Sequence, residues 1–106
     1  MIAKTPKTPY YAVIFTSQKT SEEEGYGDMA KKMAEMASKQ EGFLGFESVK
    51  DENLGITVSY WESLEAIKAW KDQTDHATAQ QKGKSDWYQA FKVRISQVVR
   101  DYDFTV

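Results

Sequence analysis

Residues 10–16 read YYAVIFT, and this stretch decides the architecture of the chain. Its β-branched and aromatic residues suit a pleated strand, and its two alternating sets, Tyr11, Val13 and Phe15 against Tyr10, Ala12 and Ile14, are both apolar. Such a strand needs cover on both of its faces. The nine residues before it, with Pro6 and Pro9 among scattered Lys and Thr, carry no apolar period, so 1–9 reads as a flexible leader and 10–106 as the domain.

Working outward, Ser21 and Glu24 have capping-box spacing, in which the hydroxyl accepts from an early amide and the carboxylate reaches back. The three glutamates suit the positive end of a helix. Tyr26, Met29, Ala30, Met33, Met36 and Ala37 recur at three- and four-residue steps, which predicts a helix ending near Gln40 with Gly42 as its stop. Phe43 to Val49 and Ile56 to Trp61 read as two strands of a hairpin around the turn chemistry of Asp51 to Gly55. Ser63 caps a second helix whose Leu64, Ile67 and Trp70 share one face; a break is expected near Thr74, with a short helical turn running on towards Gly83. Asp72 to Asp86 reads as the least regular part. The segment from Ala90 to Phe104 reads as a strand with Phe91, Val93 and Ile95 alternating, before the apolar set moves to Val98, Tyr102 and Phe104; a bulge near Ser96 or Gln97 would produce that change of phase.

The resulting order is strand, helix, strand, strand, helix, strand: an α+β, ferredoxin-like βαββαβ domain with a four-stranded antiparallel sheet and both helices on one face. Strands one and four read as apolar on both faces, and two helices cover only one. An open apolar face is unusual on a soluble monomer, so an isologous homodimer, sheet against sheet, is expected. The alternative cover is the leader or the C-terminal tail.

Composition narrows the partners. The chain has 106 residues, enough for one core, with 41% hydrophobic and 28% charged residues. A net charge of -2, from 14 basic and 16 acidic side chains, supplies no field to gather DNA or RNA. With no cysteine, thiolate metal sites and thiol nucleophiles are excluded. Neither a secretory leader nor an apolar run long enough for a membrane span is present, so the expected setting is the cytoplasm.

Several segments together resemble the antibiotic biosynthesis monooxygenase family of dimeric α/β barrels: EGFLGFES at 41–48, ITVSYWESLEAIKAW at 56–70, and HATAQQKGKSDWYQAFKVRISQVVRDY at 76–102. The likeness covers most of the chain and is more specific for fold than for reaction. It implies a pocket between the helices and the sheet, with Trp70 and His76 near the mouth. The haem-degrading branch of the family uses an Asn, Trp and His set. Trp70 matches that Trp, but the position ten later is Gln80, and the one asparagine of the chain is Asn53, in the hairpin turn. The resemblance therefore implies no cofactor, with haem as an alternative ligand that the Asn-Trp-His pattern does not support.

Among residues fit for chemistry, His76 is the sole histidine and the one side chain that ordinarily titrates near neutrality, which makes it the candidate catalytic proton carrier; the competing role is a polar residue on the helix. Phe15, Trp70, Trp87 and Tyr88 are the candidate ligand-pocket residues, able to line a flat apolar site. Trp61 and Phe91 read as core, and Met29, Met33 and Met36 as helix packing. Lys92, Arg94 and Arg100 read as solvent-facing. A lone histidine cannot supply the ligands of a metal site, and Gly25 and Gly27 open no phosphate loop. Two functions follow as expectations: a cofactor-independent monooxygenase acting on a small aromatic or quinone-type compound, or a non-catalytic module that binds an apolar small molecule or haem.

Overall fold

The computed structural model of the chain describes residues 2–21, 26–80 and 87–106, with side chains described outside 75–80. Its elements are β1 (Tyr10–Lys19), α1 (Tyr26–Ser38), β2 (Phe43–Asp51), β3 (Leu54–Trp61), α2 (Leu64–Gln80) and β4 (Tyr88–Val98). The four strands form one antiparallel sheet in the order β2-β3-β1-β4, so the two-sided apolar strand β1 sits in the interior. This is the ferredoxin-like arrangement. The glutamates of the expected capping box, Glu22 to Glu24, lie outside the described residues, as does Gly83.

Pairing fixes which side chains share a face. Val13 lies opposite Ser59 on β3 and Ile95 on β4, while Ala12 lies opposite Tyr60 and Ser96. Because side chains alternate across a strand, Tyr11, Val13, Phe15, Ser17 and Lys19 share the helix side with Trp61 and with Phe91, Val93 and Ile95. The far side carries Tyr10, Ala12, Ile14 and Thr16 with Tyr60, Val58 and Ile56. It also carries Lys92, Arg94 and Ser96, all exposed. Strand four is thus apolar chiefly on one face, contrary to the sequence expectation: Phe91, Val93 and Ile95 share the helix side, while Lys92, Arg94 and Ser96 alternate with them before Val98 falls beside Tyr10 on the far side.

Trp61 anchors the core. It is fully buried, meets Phe43 edge-on at 5.3 Å, stacks with Trp70 at 5.9 Å, and donates its indole N–H to Ser59 Oγ at 2.9 Å. A tryptophan withdrawn from water in this way contributes about 4–6 kcal/mol. Ile67 on α2 and Ala37 on α1 are buried alongside this layer. The approach of α2 depends on Gly42, which adopts a φ of +87° where a Cβ would come within 2.7 Å of Ala66 Cβ. The Gly42 carbonyl also accepts from the Glu62 amide at 2.8 Å, tying the end of β3 to the entry of β2.

Two further expectations are corrected. Helix α2 runs unbroken through Thr74, whose hydroxyl donates to the Lys71 carbonyl at 2.9 Å within the helix, so the threonine is accommodated and does not end it. The cap, in contrast, is as expected: Ser63 Oγ accepts from the Ala66 amide at 3.1 Å. No bulge lies at Ser96 or Gln97. Pairing stays in register to Val98 opposite Tyr10, and the irregularity falls at the other end, where Gln18 faces Ala90 but Lys19 faces Tyr88. The change of apolar phase beyond Val98 marks the end of the strand.

The far side of the sheet is divided. At one end Ala3 donates its amide to Glu47 at 2.9 Å, Thr5 donates to the Tyr10 hydroxyl at 3.0 Å, and Tyr10 in turn donates to Asp101. The leader and the start of the C-terminal tail therefore cover Tyr10 and Ala12. At the other end Val49, Leu54 and Ile56 remain exposed.

Candidate functional site

Helix α1 packs on β2 and α2 on β3, and on the helix side the Phe91–Ile95 row of β4 remains open to solvent. There Phe91, Val93 and Ile95 are 41%, 47% and 51% exposed, next to the half-buried Phe15 and Val13 of β1. A strand covered by a helix would bury this row. Open as it is, the row forms the floor of an apolar trough.

Aromatic rings close one end of the trough. Phe15 lies 5.5 Å from Phe91 and 5.7 Å from Tyr88, and Tyr88 is 5.8 Å from Phe91. Tyr26, the first residue of α1, meets Tyr88 and Trp87 edge-on, each at 6.1 Å. Two ammonium groups approach the Tyr26 ring, Lys19 Nζ at 4.7 Å and Lys50 Nζ at 5.2 Å from its centroid. Lys19 is buried because β1 continues in phase beyond Ser17, carrying the lysine to the inward side; its Nζ donates to the Thr20 carbonyl at 3.1 Å. The corner is also fixed through the backbone, by Lys19 N to the Asn53 carbonyl and Thr20 N to the Trp87 carbonyl.

Burial, and after it the neighbouring Tyr26, holds the Tyr88 phenol well above its ordinary value. At neutral pH it keeps its proton and acts as a hydrogen-bond donor. On the far side of the sheet, Glu47 accepts from the Tyr60 hydroxyl at 2.6 Å and is lowered chiefly by that bond, while Tyr60 is raised to about 12, first by burial and then by Glu47. That pair is engaged in holding the leader.

Of the pocket residues expected from sequence, the structure brings Phe15 and Tyr88 into contact and joins Trp87 to them through Tyr26. Trp70 stands in a separate cluster, stacked on Trp61 beneath α2. His76 belongs to α2, at a position whose side chain lies outside the described residues. Sequence reasoning missed Tyr26, Lys19 and Lys50 and assigned Phe91 to the core. The one signal for Lys19 was its phase with Phe15 and Ser17; for Phe91 there was none, because an uncovered strand face reads like a covered one. An open groove of about 910 Å³ between the leader and β2 is lined by Ile2, Lys4, Phe43 and Phe46, but its carboxylate, Glu47, is already committed to Tyr60 and Ala3. Among the described residues no group of acidic, histidine or cysteine side chains is placed to hold a metal, and no helix is long and apolar enough to cross a membrane.

The βαββαβ order has a counterpart in sequence. The profile of the family described as antibiotic biosynthesis monooxygenase matches residues 9–82. The chain belongs to this family. A curated relative, the uncharacterized protein YqjZ of Bacillus subtilis (strain 168), is 49% identical over 100 residues, covering 93% of this chain and 88% of that one. Among solved structures, SnoaB, a cofactor-independent oxygenase from Streptomyces nogalater, superposes with a TM-score of 0.63 at 11% identity, covering 91% of this chain and 97% of that one. A point mutant of MhuD with two manganese protoporphyrin IX molecules bound per active site gives a TM-score of 0.61 at 25% identity, covering 89% of this chain and 99% of that one. Within the antibiotic biosynthesis monooxygenase match lie Phe15, Lys19, Tyr26 and Lys50, whereas the β4 wall with Tyr88 and Phe91 lies beyond it.

Proposed function

We propose that the protein is a cofactor-independent oxygenase of a small aromatic or quinone-type compound, and that the trough over β1 and β4 holds the substrate. The observation that carries this reading is the exposed apolar row of Phe91, Val93 and Ile95 beside the Phe15 and Tyr88 rings, in a chain of the monooxygenase family. In the reaction the substrate gives up two hydrogens, one from a ring carbon and one from its hydroxyl; that carbon gains one oxygen atom from O2 as a carbonyl, and the second oxygen atom leaves with the two hydrogens as water. The substrate anion supplies the electrons. The trough's contribution is to stack the ring and exclude water, while Tyr88 offers its phenolic proton to a developing oxyanion. His76 has the role of proton carrier, worth on the order of a hundredfold in rate. Oxygen uptake over a panel of phenols and hydroquinones, with the product weighed after turnover in labelled O2, tests the reading. Turnover that falls about a hundredfold in His76→Ala agrees with it; no uptake by the parent protein across the panel overturns it.

The second reading is a binding or sensing module, for which haem is the sharpest case. Iron needs an axial imidazole, thiolate, thioether or phenolate. Among the described side chains the trough's aromatic end offers only phenols, and that of Tyr88 holds its proton. The described side chains therefore do not hold haem by themselves; His76, the one imidazole of the chain, would have to supply the ligand, and no step is routed through the group. A haem titration without a Soret shift agrees with this conclusion.

The working unit of this reading is a homodimer in the cytoplasm. Exposed Val49, Leu54 and Ile56 on the far side of the sheet, with Tyr102 and Phe104 at 88% and 86% exposure in the tail, are surfaces that a two-fold partner would cover. Sedimentation at micromolar concentration gives twice the chain mass on this view, and a monomer there refutes it.

A further inference from the structure

The far side of the sheet is closed at one end and open at the other, and the C-terminal tail leaves from the closed end. There Asp101 accepts from the Tyr10 hydroxyl and fastens the tail to the chain's own sheet. Beyond it the sequence runs Tyr102, Asp103, Phe104, Thr105, Val106, apolar and polar side chains in strict alternation. That pattern belongs to an extended segment with one side to bury. Yet Tyr102, Phe104 and Val106 stand almost wholly in water.

A surface of matching character lies at the open end. Pairing sets Val49, Ile56, Thr16 and Lys92 in one row across the four strands, with Leu54 in the row on one side and Arg94 in the row on the other. Val49, Leu54 and Ile56 are exposed on the β2–β3 half, and Lys92 and Arg94 on the β4 half. Within one chain the tail leaves this surface bare, since it is fastened at the Tyr10 end, roughly 20 Å along β1 from Thr16 at the rise of a strand. A second copy resolves the mismatch. A two-fold axis lying between the sheets and across the strands reverses their direction, so the closed end of each copy sits over the open end of the other. Each tail then starts above the open row of the other copy. Its two sides fit the two halves of that surface: Tyr102 and Phe104 towards Val49 and Ile56, and Asp103 towards Lys92 and Arg94, away from Asp51 at the β2 edge. A buried aromatic side chain removes about 150–250 Å² from water. Two such residues on each of two tails, with an equal area of the surfaces they cover, come to roughly 1,200–2,000 Å², the size of a stable interface.

We propose that residues 102–106 are an exchanged arm, each tail crossing to a second copy of the chain and closing the open end of its sheet. This deepens the homodimer reading, rests on it, and names the contacts that hold the two copies together.

Sedimentation over a concentration series, on the full chain and on Tyr102→Ala with Phe104→Ala, is the first test. Both changes are at exposed positions and leave the fold intact, and the dimer dissociation constant should rise about a hundredfold or more. Asp103→Lys, which sets like charges together, should raise it about tenfold at low salt and less at high salt. The second test combines Val49→Cys with Phe104→Cys in a mixture of chains carrying light and heavy nitrogen. Mild oxidation should join position 49 of a light chain to position 104 of a heavy one. A dimeric parent whose dissociation constant is unchanged in the aromatic variant overturns the arm and leaves the homodimer standing. A bridge found only within single chains, or none between these positions, overturns the arm as well. A monomeric parent removes the homodimer reading, and this inference falls with it.

Discussion

Gly42→Ala tests how the chain sets α2 against the sheet. Two costs can be worked from the structure. The residue sits at a φ of +87°, where a side chain adds about 1–2 kcal/mol of backbone strain. The new Cβ would meet Ala66 Cβ at 2.7 Å, well inside ordinary carbon contact at roughly 3.5–4.0 Å, and both atoms belong to short side chains that cannot swing away. Relief requires α2 to move, an overpacking cost of about 1–3 kcal/mol. The sum is about 2–5 kcal/mol, a large part of the roughly 5–15 kcal/mol that holds a domain of this size. Ala66 lies one turn before Trp70, so the Trp61–Trp70 stack should loosen with it, and urea unfolding followed by tryptophan fluorescence reads stability and stack together. The companion change Ala66→Gly separates the two costs: alone it should destabilise by about 1 kcal/mol through helix propensity, but in the double variant it removes the clash and recovers about 1–3 kcal/mol, leaving the φ strain. A Gly42→Ala cost under about 1 kcal/mol, or strict additivity in the double variant, would refute the reasoning.

Other outcomes follow from the same contacts. Glu47 is held below its ordinary 4.5, so its contribution to stability is complete above that pH and is lost as pH falls through the folded value. Tyr60 is raised from 10.0 to about 12, so its contribution is complete below pH 10 and is lost as pH rises to 12; Tyr60→Phe should flatten the alkaline fall in Tm, and an unchanged alkaline limb would count against the pair. Ser63→Ala removes the α2 cap and should cost about 1 kcal/mol by urea unfolding, with no change taken as failure. Core and trough should separate cleanly: Ile67→Ala, at a residue 5% exposed, should cost about 2–5 kcal/mol. Val93→Ser, at one 47% exposed, should change stability by less than about 1 kcal/mol while weakening 2-naphthol binding severalfold, and the reverse pattern would show that Val93 is core.

The fold was legible because its signals are local and redundant. The alternation in YYAVIFT, the methionine stripe of α1, the hairpin turn and the Ser63 cap each point to one element, and together they admit few topologies. The misreadings share a cause. Beyond Val98 the chain keeps an apolar beat after it has left the sheet, and periodicity cannot show where pairing stops. Thr74 suggested a break, yet its hydroxyl bonds back to the Lys71 carbonyl and the helix goes on. The site was half legible: rings such as Phe15 and Tyr88 stand out in a sequence, but which of them meet depends on the β1–β4 register, and it is that register which parts them from Trp70. Lys19 and Lys50 were not legible as neighbours of one ring, because a lysine at a strand end reads as solvated until the phase of β1 is followed to Lys19 and the hairpin has brought Lys50 to the Tyr26 ring.

Amide chemical-shift mapping with 2-naphthol on the isotopically labelled protein tests the location of the site most directly. The account predicts that the perturbed amides cluster on Phe15, Lys19, Tyr88, Phe91 and Val93, at the junction of β1 and β4. Perturbations confined to the Phe43, Phe46 and Trp70 region, or shared with no part of β4, would contradict it.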